Sequence, residues 1–334
     1  EVDLYVRFIG PDGTTLTIPG FYNGSSTWTV RFSPTKTGNW TYTTSSNDAE
    51  LNQKQGSITC VTNTNTNVHG RLMIDESNKH HFKYADGTRF FLLGSEIDWL
   101  ALIDMQDPNL TKTKEIIDMY AAQGFNSILM NAYAYDTRWC QGQTEDEDWG
   151  PPLLHPWQGD LSNHDFSRLN TDYWKHFDKV IDYMFQEGIV AYIYFKVYNK
   201  MVNWPPKGSK EDELYFSNIV ARYQAYPNII WCFAKETYYE PDHAYIHKML
   251  DVITENDAYD RLRTTHDDNA RVEDYAFDGE NADNIDFYTD QTQNDIYNNS
   301  IEDYKRKEWP VSNMEPGYQG GNDGNSSYQG DNIS

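Results

Sequence analysis

From residue 89 onward the chain repeats one pattern. A short apolar run rich in β-branched and aromatic residues is followed by a stretch with helical period, and then by another such run. The runs fall at 89–94, 126–130, 190–195, 229–236, 263–266, 285–288 and 311–314. Helical stretches are predicted at 111–123, 173–187, 211–225, 243–256 and 301–307, with Gly124 and Gly188 as stops. Strands separated by helices pair in parallel, and a long series of such units closes into a (β/α)8 barrel. Seven strands are counted. An eighth is not found before the Gly-, Asn- and Ser-rich sequence that runs to residue 334, so the expectation is a barrel truncated after strand 7.

Residues 1–62 read differently. Turn signals at Asp12-Gly13, Asn23-Gly24 and Pro34 to Gly38 separate short alternating runs such as Thr27 to Phe32 and Trp40 to Thr44. That pattern predicts an antiparallel β-sandwich of immunoglobulin-like type. Residues 63–68, mostly Asn and Thr, read as a linker, and 69–334 as the barrel domain. The whole is therefore expected to be multidomain. A long segment from Asn131 to about Asp165, rich in Trp, Tyr, Asp and Pro, is expected to be a functional loop.

Charge narrows the function. With 51 acidic against 27 basic residues the net charge is −24, which disfavours nucleic acid and anionic membrane surfaces as partners. No apolar run is long enough for a membrane-spanning segment. Cys60, Cys140 and Cys232 are widely spaced and odd in number, which gives no disulfide framework and no CxxC metal spacing, and neither a metal nor a cofactor is expected. Glu145-Asp146-Glu147-Asp148 lacks the spacing of a calcium loop and reads as a solvated acidic loop. Ten Trp and 25 Tyr favour a carbohydrate ligand, because aromatic faces stack on sugar C–H faces while their polar ends bond hydroxyls.

Two of the strand-like runs end in a glutamate: 229–235 in Glu236 and 311–314 in Glu315. Barrel enzymes place reacting groups at the carboxyl ends of their strands. Two such carboxyls are the minimum equipment for cleaving a glycosidic bond, about 5–5.5 Å apart in retaining enzymes and about 6.5–9.5 Å apart in inverting ones. Other strand-end residues are candidate sugar contacts: Trp99 as a subsite floor, Asn131 and Tyr133 after strand 2, Lys196 after strand 3, and Lys235 beside Glu236. His266 ends strand 5 and could bind a hydroxyl or orient Glu236, and Tyr288 ends strand 6. A non-catalytic carbohydrate-binding protein is the alternative from a different class.

Gly10-Pro11-Asp12-Gly13, Ile18 to Tyr22, Trp28 to Pro34 and Gly38 to Tyr42 resemble the β-sandwich domain of unknown function (DUF5060-like) that precedes many bacterial glycoside hydrolases. Phe90 to Trp99, Gly124-Phe125-Asn126, His164 to Asn170, Asn228 to Glu236 and Asn313 to Tyr318 resemble the apiosidase-like (DUF4038-like) barrels of the retaining glutamate-pair superfamily, clan GH-A. The resemblance implies that Glu236 is the acid/base and Glu315 the nucleophile of a glycosidase acting on plant or algal glycans. It also implies a secreted, periplasmic or cell-surface location in a bacterium. Many relatives carry Asn immediately before the strand-4 glutamate, where it holds the sugar 2-hydroxyl; this chain carries Lys235.

Overall fold

The computed structural model describes residues 2–136, 152–267, 284–292 and 295–314. The N-terminal part is built from β1 (Leu4–Ile9), β2 (Thr15–Pro19), β3 (Phe21–Tyr22), β4 (Trp28–Thr29), β5 (Gly38–Ser46) and β6 (Gln55–Cys60). Four of these form an antiparallel sheet in the order β2-β1-β5-β6, and β3 and β4 pair as a separate ribbon. Alternation along β1 sets the two faces: Leu4, Val6 and Phe8 are buried, while Tyr5, Arg7 and Ile9 are exposed. A full second sheet, as a sandwich requires, is not what covers the buried face among the described residues. Val30 and Phe32 cover it from within the domain, with Phe32 stacked on Phe8 at 3.9 Å, and Ala225, Ala258 and Tyr259 cover it from the barrel. The described residues thus show an N-terminal antiparallel four-stranded sheet with a two-stranded ribbon beside it, whose core is completed against the second domain.

Residues 72–90 form a small antiparallel sheet of β7 (Leu72–Ile74), β8 (Phe82–Tyr84) and β9 (Arg89–Phe90). This corrects the expected first barrel strand. The turn around Asp86 and Gly87 folds β9 back onto β8, and the barrel begins only at β10 (Gly94–Glu96). Leu72, Phe82 and Phe90 pack with Val190, Leu262 and Phe287, which lie in or next to the starts of barrel strands, so this sheet plugs the barrel's N-terminal end.

The barrel then runs α1 (Thr111–Ala122), β11 (Ser127–Asn131), a hairpin of β12 (Trp157–Asp160) and β13 (Asn163–Leu169), α2 (Thr171–Gln186), β14 (Val190–Val197), α3 (Lys210–Tyr223), β15 (Ile229–Lys235) and α4 (His243–Asn256). It continues with β16 (Arg263–Thr264), β17 (His266–Asp267), β18 (Tyr288–Asp290), α5 (Ile296–Arg306) and β19 (Val311–Asn313). Parallel pairing joins β10-β11-β14-β15-β16 and then β17-β18-β19, with β16 and β17 separated by Thr265 alone. These are seven successive parallel strand positions, as the βα pattern predicts. Continuation beyond Met314 lies outside the described residues. The helices start where side chains can cap them: Asn170, Ser209 and Asp242 accept from backbone N–H groups in the first turns of α2, α3 and α4. The hairpin β12–β13 stands within a segment expected to be loop. Its turn is held by the Asp160 carboxylate, which accepts from the N–H groups of Ser162 and Asn163.

The two domains are locked by one shared carboxylate. Asp178 on α2 takes Arg31 at 2.6 Å and Arg222 at 3.0 Å. Arg31 also donates to the Arg222 carbonyl at 2.7 Å, and the buried Arg222 guanidinium lies over Phe21 at 4.3 Å. Ser33 donates its N–H to the Tyr259 hydroxyl at 2.7 Å. Ala225 and Tyr259 precede β15 and β16, so the N-terminal domain docks on the end of the barrel opposite the strand carboxyl ends. Removing the shared carboxylate leaves a fully buried guanidinium uncompensated. Asp178→Ala should therefore cost about 3–5 kcal/mol in urea unfolding, against near-neutral behaviour for an exposed control such as Asp172→Ala.

Candidate active site

The interior of the barrel narrows to a packed column below its mouth. Leu129, Val190, Tyr192, Tyr194, Ile230 and Cys232 fill it, and the Tyr192 hydroxyl is 2.7 Å from that of Thr289. Above this column a charged layer is assembled from strand ends. Lys235 ends β15 with 4% of its surface exposed, and its ammonium pairs with Glu96 at the end of β10. It also reaches Asp98 at 3.2 Å. Asn131, ending β11, donates its amide to Asp98 at 2.8 Å, and Lys200 approaches the same carboxylate at 3.8 Å. Burial pushes the Asp98 carboxyl up, but the Lys235 ammonium, a hydrogen bond with the Glu96 side chain and the Lys200 ammonium together outweigh burial and hold it below the usual carboxylate value. Lys200 lies 5.1 Å over the ring of Trp99, which is buried beside this layer.

Glu236 follows directly. Its backbone is left-handed, with φ 56° and ψ 51°, a conformation costly for a residue with a Cβ. The surroundings hold it there. Its N–H donates to Nδ1 of His266 at 3.3 Å, and the His266 N–H donates to the Thr237 hydroxyl at 3.3 Å. That hydroxyl donates in turn to the Ala234 carbonyl at 2.9 Å. The side chain is buried but not sealed, with 9% of the residue exposed. His266 is fully buried. Burial first, and then the Lys235 charge, lower its pKa to about 3, with Asp98 opposing. It is therefore neutral near pH 7, and since Nδ1 accepts, the proton sits on Nε2.

The structure thus gathers Trp99, Asn131, Lys235, Glu236 and His266 at one mouth. Two other expected contacts are corrected. Tyr133 is fully buried between Trp157, Tyr173 and Trp204, and its hydroxyl meets Nδ1 of His155 at 2.8 Å. Lys196 is committed to Asp212 at 2.7 Å and to the Tyr245 hydroxyl at 2.6 Å, between the first turns of α3 and α4. Tyr133 follows β11 and Lys196 lies one residue inside the end of β14, but packing between barrel and helices claims both. Tyr288 is fully buried at the start of β18. Glu315, and the acidic run 145–148, lie outside the described residues. Sequence reasoning did not single out Lys200, whose only signal is its place just beyond strand 3. It also passed over Tyr238 and Tyr239, whose aromatic pair directly follows the Glu236 turn.

A parallel barrel with a glutamate just past the carboxyl end of its fourth strand accords with the glycoside-hydrolase class of (β/α) barrels. The particular family follows from the sequence. Residues 76–332 match the apiosidase-like catalytic domain, and residues 1–47 match the domain of unknown function DUF5060. The first match spans most of the chain, which belongs to the apiosidase-like catalytic-domain family. Among solved structures, the chain is similar to a provisionally assigned glycoside hydrolase from Bacteroides vulgatus ATCC 8482, with TM-score 0.78, 24% identity, and 93% of this chain against 60% of that one covered. It is also similar to a family 5 glycoside hydrolase from the same organism, with TM-score 0.53, 18% identity, and coverage of 75% and 54%. A family 5 mannosidase variant from Rhizomucor miehei aligns with TM-score 0.52, 14% identity, and coverage of 74% and 73%. The chain spans little more than half the length of the two Bacteroides proteins. At these identities the likeness is one of fold. Curated proteins gave no significant match.

The neutral, buried His266 has a thermodynamic signature. Its folded pKa, about 3, lies below the ordinary value of 6.5, so the unfolded chain binds the proton first as pH falls. The stability associated with burying it neutral is present above about pH 6.5 and is lost progressively toward pH 3, up to roughly 5 kcal/mol over that window. His266→Gln retains an acceptor for the Glu236 N–H but does not titrate. Urea unfolding across this pH range should give a flatter acid limb for His266→Gln than for the wild type.

Proposed function

We propose that this protein is a glycosidase that cleaves O-glycosidic bonds in a plant or algal polysaccharide or oligosaccharide by a retaining double displacement. Glu236 is the acid/base and Glu315 the nucleophile. The observation that carries the reading is Glu236 itself: a strained, left-handed carboxylate residue at the carboxyl end of the fourth strand, in a chain of the apiosidase-like family. The role of Glu315 rests on its sequence position just past the seventh strand and on the family resemblance.

In the first step the Glu315 carboxylate attacks the anomeric carbon while the Glu236 carboxyl gives its proton to the departing oxygen. In the second, Glu236, now ionised, takes a proton from water, and that water oxygen displaces Glu315 from the anomeric carbon. The cycle returns Glu236 protonated and Glu315 ionised. The rigid turn around Glu236 supports this role because a group that donates and then accepts at one oxygen must stay in place across both steps. The Lys235–Glu96–Asp98 layer supports it by supplying fixed charges at a water-poor mouth. A secreted, periplasmic or cell-surface location accompanies this reading.

Two substitutions separate the roles. Glu315→Gln should abolish turnover by several powers of ten on every aryl glycoside that the wild type cleaves, however good the leaving group. Glu236→Ala should lose a comparable factor on natural glycans but retain glycosylation by activated aryl glycosides, and azide should restore its turnover with retained configuration at the product. Anomeric NMR of the azide product reads the outcome. Inverted azide product, or near-normal rates in Glu315→Gln, would reject the assignment.

A further inference from the structure

Beyond Glu236 the chain makes a one-turn 3-10 helix, Thr237–Tyr239, before α4 begins. This turn is fixed at both ends. The Tyr239 N–H donates to the Glu236 carbonyl at 3.1 Å, and the Glu240 N–H to the Thr237 carbonyl at 2.8 Å. Glu240 is buried, and its carboxylate pairs with Lys207 and accepts the Asp242 N–H at 3.1 Å. Within the turn, Tyr238 is tied across the mouth. Its hydroxyl accepts from the Gln291 side-chain amide at 2.7 Å, one residue past β18. The ring of Tyr239 leans on that of Tyr238, with centroids 4.7 Å apart and planes inclined at 44°. Yet Tyr239 keeps 52% of its surface exposed.

An exposed tyrosine on a frayed loop would mean little. Here the backbone is pinned on either side, the neighbouring ring is anchored to another strand, and the whole unit directly follows the acid/base. An aromatic ring with half its surface exposed and its backbone fixed three residues past Glu236 is a ready stacking surface for the C–H face of a sugar ring, at little entropic cost on binding. The side of the bond it serves follows from the chemistry. The general acid gives its proton to the leaving oxygen, so residues continuous with it flank the leaving group rather than the sugar being attacked.

We propose that Tyr239 is the stacking platform for the first leaving-group sugar and thereby sets a preference for oligosaccharide over small leaving groups. The assignment to the leaving-group side rests on Glu236 acting as the general acid. Tyr238 is the positioning residue beneath Tyr239, held by Gln291.

The test uses the full chain carrying Glu236→Gln, titrated calorimetrically with short xylo-, manno-, gluco- and galacto-oligosaccharides and with the corresponding monosaccharides. Adding Tyr239→Ala should weaken binding of the oligosaccharide that binds about tenfold and leave monosaccharide binding within twofold, while adding Tyr239→Phe should preserve both. Thermal unfolding should be unchanged, since the side chain removed is half-exposed. Unchanged oligosaccharide affinity in the Tyr239→Ala protein overturns the proposal. So does an equal loss for monosaccharides and oligosaccharides, or no oligosaccharide binding before the second substitution. Failure of the parent reading is read separately, as hydrolysis of any of these oligosaccharides by Glu236→Gln at the wild-type rate.

Discussion

The pairing of Lys235 with Glu96 and Asp98 is the interaction on which the mouth of this barrel depends. β10 and β15 are not neighbours in the sheet; β11 and β14 lie between them. Their ends are joined above the interior by side chains alone. Ionised groups taken out of water carry a desolvation cost of several kcal/mol each, which their mutual attraction offsets only when the geometry is good. Hydrophobic residues of similar volume would often be as stable or more so. A buried charged layer at the strand carboxyl ends is therefore poorly explained by stability and well explained by chemistry that needs fixed charges beside a reacting bond. The layer also fixes neighbouring states. It holds Asp98 ionised, and the Lys235 charge adds to burial in keeping His266 neutral.

Strain enters next to that layer and is met locally. Glu236 occupies a left-handed conformation that an L-residue adopts at a cost of about 1–3 kcal/mol. Three hydrogen bonds, linking Glu236, His266, Thr237 and Ala234, hold it there. All three are made by atoms at or next to the ends of adjacent strands, so the strained turn is tied to the sheet. The neutral imidazole is part of the device. A protonated His266 would lose its acceptor at Nδ1 and place a second cation near Lys235, so the low pKa and the backbone geometry are two aspects of one arrangement.

How much of this the sequence discloses depends on the range of the interaction. Seven strand positions and five helices follow from periodicity, because burial of one face is a local pattern. The first barrel strand was misplaced because 89–94 is apolar enough to be a buried strand. Only the pairing of Phe82 with Phe90 reveals that its first residues belong to the plug below the barrel. The hairpin β12–β13 was missed because an aspartate turn between short polar strands looks like any loop. Glu236 was legible as a carboxylate closing an apolar run. Tyr133 and Lys196 were equally plausible by position, and went astray because strand-end placement alone does not decide between mouth and helix packing. Asp212 and Tyr245, which claim Lys196, lie far along the chain. The Lys235–Glu96 contact spans 139 residues, and no local pattern announces it.

That long-range contact bears on the position where the superfamily resemblance leads one to expect asparagine. An asparagine before the strand-4 glutamate is short and neutral and can both donate to and accept from a sugar hydroxyl. Lysine reaches further and only donates, and here its charge is matched by the two carboxylates of the strand-1 end. The three residues are consequently one unit. Exchanging Lys235 alone for asparagine would leave Glu96 and Asp98 facing each other with Lys200 as the nearer remaining counter-charge, 3.8 Å from Asp98. A change at this corner is therefore a change of the whole layer. In this chain the residue preceding Glu236 is coupled to the strand-1 carboxylates. On the proposed function, any effect of lysine at this position on a bound sugar involves strands 1 and 4 together.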